Sequence, residues 1–449
     1  MSQSKNNLSR RGFLKLTGSA AAVTLLAACA PVPAAPGGAA AEPAAAKSLT
    51  VWAHRSFAPP ADDVLLANIE KWAEENNVDL ELVAEIEVPI MNERLAAAIE
   101  SKTLPDVSAI AGGRVALHYP AGIYADVSEL YKEFADAYGG YYRPAEQTAT
   151  IDGAQWVIPY STDTSLMYYR QDLLDAKSLA IPTTWDEYVT TVAAAQNPPD
   201  IYGAGIALNK AATDAQNTFN LMLLSFGGSM VAEDGKTVVV NSQQTRDWLT
   251  FVTETMYGAG VFPPSAFEWD NASNNAAYQE ESALTVHNPA SVLVWLYDNK
   301  PELADVTTIK ALPAGPAGAF NSGNVRVAWA IFNSSAAEQQ DLGKDLLRYL
   351  QEPEQFEPWI ALAFAAPAVA AFEDMEIWND PKRAGFLEGS KTGVMSGYPG
   401  PVTSAAAELD SLVPATSMVL RVLVDGWTVD EAVAEAEQVA TDVYSKYEM

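Results

Sequence analysis

The sequence predicts an α/β protein divided into at least two lobes. Two observations carry this. Between Leu49 and Gly113 short apolar strands alternate with amphipathic helices, the order that builds a parallel sheet with helices on its faces. About 400 residues follow residue 47, more than one hydrophobic core serves. Hydrophobic residues make up 49% of the chain, with 11 Trp, 18 Tyr and 14 Phe, which excludes a disordered chain.

The elements follow in order. "SLTVWAH" predicts a strand over Leu49 to Ala53. Leu65, Ile69 and Trp72 fall at i, i+4 and i+7, with Asp62 and Asp63 near the start, and predict a helix. "DLELVAEI" alternates as a strand does, and Met91, Leu95, Ala98 and Ile99 form the next helical stripe. "PDVSAIAGG" is a strand that stops at paired glycines. Later helices open on capping boxes at Thr184 and Glu187, Ser335 and Glu338, and Thr428 and Glu431. "LPAGPAGAFNSGN" and "SGYPGPVTS" mark loops. There is no internal repeat.

The N-terminus has the parts of an export signal. Lys5, Arg10, Arg11 and Lys15 are followed by a short apolar run, Ala20 to Ala28, too short to span a bilayer as a helix. "SRRGFLK" resembles a twin-arginine signal, and "LAAC" resembles the lipobox of bacterial lipoproteins. The resemblance implies cleavage after residue 28 and a lipid on Cys29, the only cysteine. Residues 29–47 are nearly all Ala, Pro and Gly and read as a flexible tether. The expected product is exported and held by its lipid on the outer face of the cell membrane, in the periplasm or at the cell surface. With one cysteine there is no internal disulfide and no thiolate metal site.

The formal charge is −30, and loss of the signal leaves 23 basic against 57 acidic residues, a net −34. Such a chain repels nucleic acid and anionic membrane surfaces. The acids are spread along the chain, as on a solvated surface.

Catalytic motifs are absent. His54, His118 and His287 are far apart, and no H-E-x-x-H or G-x-S-x-G occurs. "DGKT", Asp234 to Thr237, lacks the first glycine of a P-loop, Met230 standing there, and reads as a hairpin turn. Among 57 acidic residues a glycosidase pair stays open as an alternative. Polar, aromatic and glycine residues collect instead at strand ends, in "WAHRSF", "IAGGR", "PYSTDTS", "VHNPAS" and "NSGNVR". Ligands of open α/β sheets bind beyond the carboxyl ends of strands, so these loops predict a cleft.

"WVIPYSTDTSLMYYRQDLLDAKSLAIPTTWDEY", Trp156 to Tyr188, resembles a signature stretch of the extracellular solute-binding proteins of bacterial ABC importers, the maltose-binding-protein-like group. "LSFGGSMVAEDGKTVVVNSQQTRDWLTF", "YQEESALTVHNPAS" and "GWTVDEAVAEA" resemble later segments, with Glu281 where glycine is usual. The resemblance runs from Leu49 to the C-terminus. It implies a type II periplasmic-binding-protein-like clamp, each lobe a mainly parallel sheet flanked by helices, with a hinge between. The expected lobes are residues 48–160 plus 318–372 and residues 161–317 plus 373–449. A monomer of this kind holds a small molecule between its lobes and presents it to the permease subunits of an importer. It makes and breaks no bond and needs no cofactor or metal.

The resemblance also nominates residues. Asp163 stands where relatives present a carboxylate or amide to ligand hydroxyls, and charged acceptors make the stronger hydrogen bonds. Arg114 follows "AGG" at a strand end. His54, Arg55 and Ser56 end the first strand. His287, Asn288 and Ser291 flank Pro289, where relatives supply a stacking ring; here Ala290 follows the proline. Trp269 could supply that ring instead. Tyr160, Asn209, Asn321, Asn324 and Tyr398 are further loop candidates. These residues point to an oligosaccharide, a polyol or a related sugar. Arg55, Arg114 and Arg326 together could hold an anion, which would favour a sugar phosphate or an acidic sugar.

Overall fold

The structure, a computed structural model, describes residues 47–85 and 88–447. The export signal and Cys29 lie outside the described residues. The predicted alternation is formed by β1 (Lys47–His54), α1 (Pro59–Asn76), β2 (Val78–Glu85), α2 (Val88–Ser101), β3 (Val107–Ile110) and α3 (Gly112–His118). Prolines at the first turn start α1, and Leu65, Ile69 and Trp72 are buried on one face, as the spacing requires. Asn77 ends the helix in the left-handed region, at φ 53°.

The remaining principal strands are β4 (Ile158–Asp163), β5 (Leu166–Arg170), β6 (Tyr202–Gly205), β7 (Ala283–Asn288), β8 (Thr307–Lys310), β9 (Asn324–Ile331) and β10 (Ala366–Pro367). They build a six-stranded sheet, β10-β4-β9-β3-β1-β2, and a four-stranded sheet, β8-β5-β7-β6. Both sheets are mixed, which corrects the expectation of mainly parallel ones. β1 is parallel to β2 and β3, and β6 to β7. All other pairs are antiparallel. The reason is the route of the chain. It leaves the first sheet along β4 and returns along β9, so the returning strand enters from the opposite end.

Each sheet buries both faces. On β9, Trp329 and Ile331 pack with Leu65, Ile69 and Trp72 of α1. Ala328 and Ala330 face the other way, against Val115 of α3. On β5, Met167 and Tyr169 join Trp185, Phe219 and Trp248, while Leu166 and Tyr168 join Leu293.

Two of the three capping boxes form, at Thr184 with Glu187 and Thr428 with Glu431. The third does not. Its helix begins at Ala337 with Ala336 as the cap residue, so Ser335 lies outside the helix and Glu338 comes one position too early for the reciprocal bond. "DGKT" is a turn closed by Asp234, which accepts from the Lys236 and Thr237 amides at 2.9 and 2.8 Å. Its flanks pair only through one bridge, Val231 with Val238.

Three chain segments meet between the two sheets. Thr164 Oγ1 donates to the Ser322 carbonyl at 2.6 Å, and the Ser165 amide donates to Ser322 Oγ at 2.9 Å. The Gly323 amide donates to the Val394 carbonyl, and the Val394 amide to the Asn321 carbonyl, both at 2.8 Å.

Candidate functional site

Beside this junction lies a cleft of about 360 Å³. The first sheet contributes Asp163, Asn324 and, through α3, Gly113 and Arg114. The opposite wall comes from α4 (Thr213–Ser225), which offers Asp214, Asn217 and Asn220; α5 (Ser404–Ser411), packed on α3 and bonded to α4 through Asp410 and Gln216, offers Asp410. Ser396 lies between.

Local structure explains these positions. Asp163 and Asn324 are register partners on β4 and β9. β9 starts where β4 ends, so both residues reach the same edge of the sheet. Arg114 depends on Gly112: a Cβ on Gly112 would lie 2.7 Å from the Cβ of Val325. Glycine there lets α3 sit directly on β9, one turn beyond the end of β3. On α4, Asp214, Asn217 and Asn220 follow at intervals of three and share a face, while Phe219 and Leu223 are buried.

The carboxylates are desolvated. Burial pushes the Asp163 carboxyl up to about 6, against the pull of Arg326 and the Thr164 amide, and the charge of Asp214 adds to the push. Asp214 is also pushed to about 6 by burial, although Asn274 and Asn288 donate to it, each to Oδ2 at 3.2 Å. Asp410 accepts from Gln216 Nε2 at 3.2 Å and from Ser396 Oγ at 3.1 Å. Burial raises its pKa, opposed by those two bonds and by Arg114.

Of the sequence-nominated residues, Asp163, Arg114 and Asn324 line the cleft. Asn288 and Ser291 stand behind it: Ser291 Oγ donates to Asn288 Oδ1 at 3.0 Å, and Asn288 in turn holds Asp214. His287 is buried behind α4, with Nδ1 2.7 Å from Thr218 Oγ1, and burial lowers its pKa to about 4.

The first-strand residues turn inward. His54 and Ser56 line a separate cavity of about 10 Å³ with Asp62 and Arg326. The amide and hydroxyl of Ser56 both donate to Asp62, at 2.7 and 2.8 Å. Burial, then Arg326, lowers the His54 pKa to about 4.

The three arginines do not converge, which corrects the anion site considered above. Arg55 pairs with Asp63 at 3.3 Å. Arg326 lies 4.2 Å over the Phe57 ring and donates to the Ala363 carbonyl. Only Arg114 reaches the cleft.

The aromatic candidates are also elsewhere. Tyr160 is 2% exposed, and its hydroxyl donates to the Leu350 carbonyl at 3.0 Å; strand alternation turns it into the core. Trp269 packs on the second lobe's core. Tyr398 lies against Phe320, with Arg143 over its ring. Asn209 accepts from the Ala211 amide within its own loop and donates to the Phe267 carbonyl of a distant segment. Asn321 serves the chain junction through its carbonyl. No aromatic residue is among those lining the cleft.

Sequence reasoning missed Asp214, Asn217, Asn220, Ser396 and Asp410. "TDAQNTFNLML" carries a readable signal, a polar stripe opposite apolar residues. Asp410 gives none, because its partner Gln216 is 194 residues away. Among the described residues no cluster of three or more His, Cys, Asp or Glu could hold a metal, and no helix is long and apolar enough to cross a membrane.

A family model described as "Bacterial extracellular solute-binding protein" matches residues 67–385. The arabinooligosaccharide-binding protein of Halalkalibacterium halodurans is 23% identical over 51% of this chain and 50% of its own. The chain thus matches about half the length of that relative. An ABC transporter solute-binding protein from Thermotoga lettingae, solved with α-D-tagatose, superposes with a TM-score of 0.76 at 19% identity over 89% of this chain and 100% of its own. Maltose-bound MalE3 of T. maritima gives 0.75 at 19% identity over the same shares. These superpositions show a two-lobed clamp. The family match covers more than half of the chain, and the protein therefore belongs to the bacterial extracellular solute-binding proteins, which bind their solutes and are not enzymes.

Proposed function

We propose that the protein is the receptor of an ABC importer and captures a small sugar, a sugar alcohol or a short oligosaccharide between its lobes. The observation that carries this reading is the cleft itself. Carboxylates, amides and hydroxyls from both walls converge on about 360 Å³, the arrangement that orients a polyhydroxylated solute. The names of the relatives, which bind an arabinooligosaccharide, tagatose and maltose, support it. Asp163, Asn324 and Arg114 contact the solute from the first lobe, Asp214 and Asn217 from the second, and Asp410 from the helix that touches both. In place of the divisions expected after residues 160, 317 and 372, the lobes divide at residues 164–165, 320–323 and 389–394, a placement supported by the contacts among these segments. Closure is a population shift driven by contacts made in the closed state. A lipid on Cys29 tethers the receptor outside the cell.

A thermal-melt screen of the purified protein tests the binding reading. The panel holds monosaccharides, oligosaccharides, polyols, sugar phosphates, amino acids and short peptides. A solute at roughly 100 times its Kd stabilises by about 2.7 kcal/mol. Hits among sugars or polyols are expected; hits confined to amino acids or peptides would overturn the assignment. For the tether, Cys29→Ser should move the protein from the membrane fraction to the medium or periplasm, and retention in the membrane would refute it.

A further inference from the structure

We propose that the solute carries a protonated amine beside its hydroxyls, as an amino sugar or amino polyol does, and that Asp163 and Asp214 hold that amine. The inference rests on the sugar-receptor reading and adds the charge of the ligand.

The cleft has more acid than base. Asp163, Asp214 and Asp410 line it, against Arg114 alone. Arg114 is already engaged electrostatically with Asp410, whose two oxygens also take bonds from Gln216 and Ser396. The surplus falls on Asp163 and Asp214. These two come from opposite walls, one from the end of β4 and one from the first turn of α4. Arg326, the cation whose charge acts on Asp163, is shared with Asp62 and held by the Ala363 carbonyl over Phe57. Asp214 has only the amides of Asn274 and Asn288. His287 sits behind α4, and its lowered pKa leaves it uncharged near neutral pH.

A neutral sugar could donate hydroxyls to both carboxylates but would leave two like charges desolvated as the lobes close. An ammonium supplies three donors and the missing positive charge, and charge-assisted bonds are the stronger kind. A net-negative cleft disfavours a phosphate. The cleft also has no lining ring on which a sugar face could stack. Charge replaces that source of affinity and selectivity.

The test is titration calorimetry on the purified protein at about pH 7, below the ~8 of an α-type amine and above the about 6 of Asp163 and Asp214, so that ammonium and carboxylates are both mostly charged. Glucose, galactose and mannose are each compared with the 2-amino-2-deoxy sugar and its N-acetyl derivative, and sorbitol with its 1-amino-1-deoxy analogue. At least one amine should bind about tenfold or more tightly than its neutral parent, with N-acetylation removing the gain. Asp214→Asn should abolish the preference while the ligand-free variant melts no lower than the parent. If the best neutral sugar binds as tightly as any amine, the charge assignment fails and the sugar receptor stands. If no compound in either series binds, an amine beside hydroxyls does not suffice for capture and the charge assignment fails, while the oligosaccharides of the melt screen decide the sugar reading separately.

Discussion

Gly323 and Gly393 meet backbone to backbone where the chain passes between the sheets: a Cβ on Gly393 would lie 2.5 Å from the Cα of Gly323. No real Cβ sits so close, and the atom it meets is main chain, so neither side can yield cheaply. Gly393→Ala should cost about 1–3 kcal/mol and change solute affinity, because it displaces the junction about which the lobes close. Gly113→Ala, with nothing within 4 Å of its Cβ position, should stay within about 0.5 kcal/mol. Urea unfolding of both variants checks the contrast; equal stabilities would show that the junction tolerates displacement.

Asp163 faces the cleft from the end of a buried strand. Replacing it with Ala should weaken solute binding by about 10- to 100-fold, about 1.4–2.8 kcal/mol, without lowering the melting temperature of the ligand-free protein. Calorimetry with any solute found in the screen measures this. Unchanged affinity would mean that the solute lies elsewhere.

Stability should respond to pH through Asp214 with a definite sign. Its carboxyl sits at about 6 in the fold, above the unfolded value of about 4. The folded chain holds this proton more tightly, so its contribution is fully present below the unfolded value and lost as pH rises through 6. Asp214→Asn should therefore stabilise the protein by ~1–2 kcal/mol at about pH 7.5 and by nearly nothing at about pH 4. His54 and His287, lowered to about 4, act in the opposite sense. Their contribution is present above the unfolded value of about 6.5 and lost as pH falls toward 4. The difference between variant and parent, measured by denaturant unfolding across this range, isolates Asp214. A gain that persists at low pH would contradict a raised carboxyl.

Tyr160 is a core residue with a paired hydroxyl. Tyr160→Phe leaves the Leu350 carbonyl without its donor and should cost about 1 kcal/mol while solute affinity stays the same. Chemical denaturation and calorimetry on one variant decide it. Lost affinity with unchanged stability would return Tyr160 to the site.

What the sequence by itself determined is local. The spacing of Leu65, Ile69 and Trp72, the Thr184 and Thr428 caps and the paired glycines after β3 dictate periodicity, hydrogen bonding and backbone freedom within a few residues. Arg114, Asp163 and Asn324 were legible as cleft-lining residues because each stands at or beside a strand end, and strand ends border the cleft. What only the tertiary structure decided depends on groups far apart in the chain. Tyr160 and His54 point into a core because of the register of their strands. Ser335 fails as a cap because its helix starts one residue late. Asp410 enters the cleft because α5, more than 200 residues beyond β4, packs back onto α3. The charge of the cleft belongs to this second class, since the desolvation of Asp163 and Asp214 and their place in one lining are properties of the assembled walls and of neither segment alone.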